Sequence, residues 1–74
     1  MKTEILDTKG LLCPLPVLKA RKRLRVMAPG DKLCVYATDP AAVIDIPHYC
    51  AESGDTLESM TEDNGVQIYL IRRS

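Results

Sequence analysis

Seventy-four residues and 8.2 kDa suffice for one small domain, because a chain this short hides only ~60% of its unfolded surface and has no material for a second core. Ten basic and ten acidic side chains cancel, and 46% hydrophobic with 27% charged residues is a globular balance, which excludes a disordered tail or a membrane-embedded chain. Three tyrosines are the whole aromatic complement, too few for a base-stacking platform, and Lys2, Glu4, Asp7 and Lys9 interrupt any apolar leader, so a cytoplasmic location is expected.

The neutral total conceals a split. Residues 1–32 carry eight basic and three acidic side chains and residues 33–74 carry two basic and seven acidic, giving +5 and −5. Lys19, Arg21, Lys22, Arg23 and Arg25 hold most of the positive charge, a local basic surface that suits a specific acidic partner better than general polyanion binding.

In chain order, Glu4 to Leu11 alternates loosely and reads as a strand entering a turn at Gly10. From Cys13 the period changes. Val17, Ala20, Leu24 and Met27 recur at three- and four-residue steps, predicting a helix over Pro14 to Met27 that stops at Ala28-Pro29-Gly30-Asp31. Leu33 to Thr38 is a second strand, with Leu33, Val35 and Ala37 on one face and Cys34 and Tyr36 on the other; either face could be the core. Asp39-Pro40 and Asp45-Ile46-Pro47 each pair a capping residue with a proline. Two starts predict a short turn at Ala41 to Ile44 and then a second helix over Ile46 to Ser53, closed by Gly54 and packed through Ile46, Tyr49 and Cys50, with Asp39 and Asp45 as caps. Leu57 to Glu62 and Val66 to Ile71 are strands around Asn64-Gly65, the chain's strongest hairpin signal. The order is β-α-β-α-β-β, and two helices cover one face of a four-stranded mixed sheet: an α/β two-layer sandwich forming a single domain over residues 1–74.

Three cysteines at wide spacing and a single histidine, His48, fit neither a disulfide framework nor a zinc cluster, so each cysteine is packing or a reactive thiol. Cys34 and Cys50 read as packing residues, and His48 as a surface group. Cys13-Pro14-Leu15-Pro16 carries more information. Prolines are tolerated in a first helical turn, and two of them fix the helix start beside Cys13. With Cys13 as N-cap, the dipole and the Leu15 N–H both favour thiolate, and a pKa below the unperturbed ~8.5 is expected.

Gly10-Leu11-Leu12-Cys13-Pro14-Leu15-Pro16, Pro29-Gly30, Asp39-Pro40, Asp45-Ile46-Pro47 through Cys50, and Tyr69-Leu70-Ile71-Arg72 together resemble the TusA/SirA-like sulfur carriers over nearly the whole chain. The resemblance implies the same two-layer fold. It also implies a sulfurtransferase role, in which the cysteine of the CPxP motif accepts sulfane sulfur as a persulfide from a cysteine desulfurase or rhodanese and relays it to an acceptor protein. In one branch the sulfur ends in the 2-thiouridine of tRNA, in others in sulfur oxidation or molybdenum-cofactor assembly. Arg21 and Arg25 would contact the donor, and Asp39 would lie at a partner-facing surface. Leu15 stands where the tRNA-thiolating member has glutamate, a departure that bears on the pathway rather than on the carrier chemistry. The chemistry needs no cofactor or metal, no direct nucleic-acid contact and no membrane, and the free chain is expected to be a monomer. Two other readings compete: an RNA- or protein-binding module using the basic helix, and a thiol redox sensor pairing Cys13 with Cys50.

Overall fold

The computed structural model describes residues 2–74. Its elements are β1 (Thr3–Thr8), α1 (Leu15–Arg25), β2 (Lys32–Ala37), α2 (Ala42–Ser53), β3 (Thr56–Asp63) and β4 (Val66–Arg72). The sheet order is β1-β2-β4-β3, with β1 parallel to β2 and the other two pairings antiparallel, so the predicted mixed sheet under two helices is what the chain forms.

The strand faces left open by the sequence are now assigned. Leu33, Val35 and Ala37 of β2 and Tyr69 and Ile71 of β4 are buried, and they meet Ala20, Leu24 and Met27 from the α1 segment and Ala42, Ile46 and Cys50 from α2 in one core. The opposite sheet face carries Ile5, Cys34 and Leu70 in one register row and Tyr36 beside Ile68 in the next. Asn64 and Gly65 both take positive φ, 51° and 79°, as a two-residue hairpin turn requires when its twist must match that of β3 and β4. The α1 segment ends two residues earlier than predicted, at Arg25, and Asp31 secures its exit by accepting the N–H groups of Ala28 and Lys2.

The second helix departs from the sequence reading. Neither the short turn nor the late start exists: α2 runs unbroken from Ala42 to Ser53 with Pro47 inside it, and its N-cap is Ala41 without any side-chain cap. Proline at this position removes one backbone bond, the one that would reach the Val43 carbonyl. Against that loss, an unbroken helix sets Ala42, Ile46 and Cys50 four residues apart on one buried stripe over the sheet. Burial of that stripe wins over the local proline signal. Asp39 and Asp45, predicted as caps, are therefore free for other work.

Candidate functional site: the Cys13 loop and the crevice between the helices

Cys13 lies on the loop between β1 and α1, exposed, with a cis peptide bond to Pro14. It is not the N-cap. Pro14 takes that position, Pro16 is buried in the first turn, and the first bond into the helix runs from the Leu18 N–H to the Pro14 carbonyl at 3.1 Å. The Leu15 N–H, expected to face the sulfur, is consumed by the Leu12 carbonyl at 2.9 Å. The expected donor is thus missing.

Two carboxylates hold the residue instead. Asp39 Oδ2 accepts the Cys13 backbone N–H at 2.8 Å, and the Cys13 thiol donates to Asp45 Oδ2 at 3.0 Å. The hydrogen bond to Asp45 first, then partial removal from water, then the negative charges of Asp45 and Asp39 push the Cys13 thiol above its ordinary pKa. This overturns the expected depression: a helix start with its nearest N–H already spent does not outweigh a carboxylate bonded to the thiol proton and the partial loss of water around the sulfur. In the free protein these contacts favour the Cys13 thiol over its thiolate.

Asp39 is also corrected in position. Expected at a partner-facing surface, it is 6% exposed and supports the loop from beneath. Its own carbonyl accepts the Gln67 Nε2–H at 2.9 Å, and Gln67 Oε1 accepts the Tyr69 hydroxyl, so a buried polar chain runs from β4 through Asp39 to the Cys13 backbone. Sequence reasoning missed Gln67 and the thiol contact of Asp45. Gln67 did leave a signal, a polar residue in phase with Tyr69 and Ile71 on the core-facing side of β4.

The sulfur opens into a groove of about 280 Å³ between α1 and α2, whose walls include Leu18 and Arg21 on one side and Asp45, His48 and Tyr49 on the other. A second hollow of about 440 Å³ shares Arg21, Tyr49 and Glu52 with it and continues along the crevice to Arg25 and Arg73. The structure therefore brings Arg21 to the same groove as Cys13 and sets Arg25 further along. Leu12, Leu15 and Leu18 beside Cys13, and Val43 and Ile44 beside Asp45, are all exposed. Cys34 lies on the other sheet face, and Cys50 is buried in the core with its thiol pushed up to about 11 by that burial. Among the described residues no cluster of His, Cys, Asp or Glu could hold a metal ion, and no helix is long and apolar enough to cross a membrane.

Residues 4–73 match the family model described as sulfurtransferase TusA. The chain belongs to the TusA family. Curated relatives include the sulfur carrier protein TusA of Pseudomonas aeruginosa PAO1, 44% identical over 69 residues covering 93% of this chain and 87% of the relative. Another is the TusA sulfur carrier of Allochromatium vinosum, 42% identical over 69 residues covering 93% and 91%. Among solved structures, the SirA-like protein of Desulfitobacterium hafniense superposes with a TM-score of 0.80 at 27% identity, covering 97% of this chain and 96% of that one. For this TusA-family chain the fold and the sulfur-carrier class agree with the resemblance carried by the CPxP segment and the two Asp-Pro elements.

Proposed function

We propose that Cys13 accepts sulfane sulfur from a cysteine desulfurase or rhodanese and passes it to an acceptor protein. The observation that carries this reading is an exposed thiol at the mouth of an arginine-edged groove with no second thiol beside it. In the loading step the deprotonated Cys13 sulfur attacks the outer sulfur of the donor persulfide. A new S–S bond forms, the donor's own S–S bond breaks, and its electron pair leaves on the donor's inner sulfur, which takes up the proton given by Cys13. A thiol and a persulfide exchange places, and no oxidant is consumed. Release to the acceptor repeats the step with roles reversed.

Docking in this reading uses the groove walls. Leu12, Leu15 and Leu18 give an apolar contact around the sulfur, and Arg21 and Arg25 edge it with positive charge suited to an acidic donor. Asp39 serves the interaction indirectly, by fixing the loop that presents Cys13. Leu15, in place of the glutamate of tRNA-thiolating members, faces the partner as an apolar surface, so delivery toward tRNA 2-thiouridine depends on an acceptor that tolerates it. Disulfide formation with Cys50 is disfavoured by the burial of that thiol.

Incubation with a cysteine desulfurase and cysteine, read by intact mass, should add roughly 32 Da, one sulfur, to the wild-type chain and nothing to Cys13→Ala. Cys34→Ala and Cys50→Ala should still load. Loading that persists in Cys13→Ala would falsify the relay reading, and a gain of one oxygen in place of sulfur would favour a redox sensor.

A further inference from the structure

Asp45 is the only side chain bonded to the Cys13 sulfur among the described residues, and the bond spans 32 positions of sequence. Among the described residues the carboxylate makes no ion pair and has no other side-chain donor. It has no capping duty either, since the α2 N-cap carries no side-chain bond. Asp45 stands in the first turn of α2, where the helix dipole favours a carboxylate, but that placement does not require its Oδ2 to meet a sulfur 32 positions away in sequence.

We infer that Asp45 is a guard on Cys13: a positioning residue whose carboxylate keeps the proton on the sulfur through the Sγ–H···Oδ2 bond while the chain is free. A carrier whose thiolate were permanently exposed would react with any small electrophile or disulfide it met, since the thiolate is the reactive form. The guard confines reactivity to the docked complex. A cationic group of the donor, entering a groove where Asp45 stands in no ion pair among the described residues, can engage the carboxylate and set the thiol free. The charged and titratable groups that face the sulfur are Asp45, His48, Tyr49 and Glu52 from α2, Arg21 from α1 and Asp39 from the loop after β2. His48 is already paired with Glu52 at 3.0 Å, which leaves Asp45 as the carboxylate that meets the thiol.

The inference rests on Cys13 being the sulfur-accepting residue, but its test needs no sulfur donor, so either can fail alone. Iodoacetamide labelling of Cys13 in the free, full-length chain, resolved by peptide mass spectrometry across a pH series, should give a lower midpoint in Asp45→Asn than in the wild type. At neutral pH the labelling rate should rise several-fold. Glu52→Gln removes a carboxylate from the same groove without touching the sulfur and should move the midpoint less. An unchanged or higher midpoint in Asp45→Asn, or an equal fall in Glu52→Gln, overturns the guard. A second measurement does not depend on any variant at position 45 folding: the infrared S–H stretch of wild-type Cys13, identified by its loss in Cys13→Ala, should lie at lower frequency than that of a thiol without an acceptor. An unshifted stretch overturns the inference equally.

Discussion

Removing the Asp39 carboxylate tests whether the loop that carries Cys13 is held from beneath. The bond from the Cys13 N–H to Asp39 Oδ2 is short at 2.8 Å, and the acceptor is 6% exposed, so it is a charge-assisted bond in a largely dry setting. Such bonds contribute about 1.5–3 kcal/mol, but Cys13 is exposed and water can reach its freed N–H, which places Asp39→Ala near the lower end, about 1–2 kcal/mol. A 74-residue domain has roughly 4–11 kcal/mol in total at the usual per-residue stability. The loss is thus a sizeable fraction, and for a domain of this size it lowers Tm by about 5–15 °C. Asp39→Asn keeps an acceptor in place and loses only the charge, so it should lose less. Gln67 bonds the main-chain carbonyl of residue 39, which Asp39→Ala leaves in place, so Gln67→Leu removes a separate bond, and a double-mutant cycle reads any coupling through the shared backbone. Urea titrations followed by circular dichroism supply all of these values. If Asp39→Ala lies within about 0.5 kcal/mol of the wild type, the range of a neutral surface change, the support argument is refuted.

Leu24→Ala removes a side chain with no exposed surface from the contact of α1 with the sheet and should cost about 2–5 kcal/mol in the same titration, a large fraction of the total. Replacing Arg21 and Arg25 with glutamate should slow loading by the donor enzyme strongly at low salt and slow iodoacetamide labelling less, the latter because Arg21→Glu adds a carboxylate to the groove that holds the sulfur. Lys22→Glu, on the side of α1 that faces Leu6 and Val26, should slow loading much less, and equal losses would reduce docking to diffuse charge. The Cys50 thiol is raised by burial from 9.0 to about 11, so the folded state holds this proton more tightly than the unfolded chain does. That contribution to stability is fully present below pH 9.0 and is lost as pH rises toward about 11; Tm should fall across this window in the wild type and less steeply in Cys50→Ala.

Much of this molecule follows from short-range pattern. The β-α-β-α-β-β order, the stripe of Ala20, Leu24 and Met27, the Asn64-Gly65 turn and the singling out of Cys13 all rest on residues within a few positions of one another, where periodicity and dihedral preference are decisive. The CPxP segment and the two Asp-Pro elements likewise carried the family. What local pattern could not decide was the use of each aspartate. Asp39-Pro40 and Asp45-Ile46-Pro47 have the composition of helix starts, and nothing nearby in the chain argues otherwise. Folding places Cys13 26 residues from one and 32 from the other in sequence, yet within hydrogen-bonding distance of both. A buried stripe of Ala42, Ile46 and Cys50 carries α2 straight through Pro47, and with the helix start moved to Ala42 neither carboxylate is needed as a cap. The protonation of Cys13 follows from that arrangement. A helix terminus is visible in sequence, but the surroundings of a sulfur atom are whatever the tertiary fold brings beside it, and here the hydrogen bond to Asp45 leads, with partial removal from water and the charges of Asp45 and Asp39 behind it.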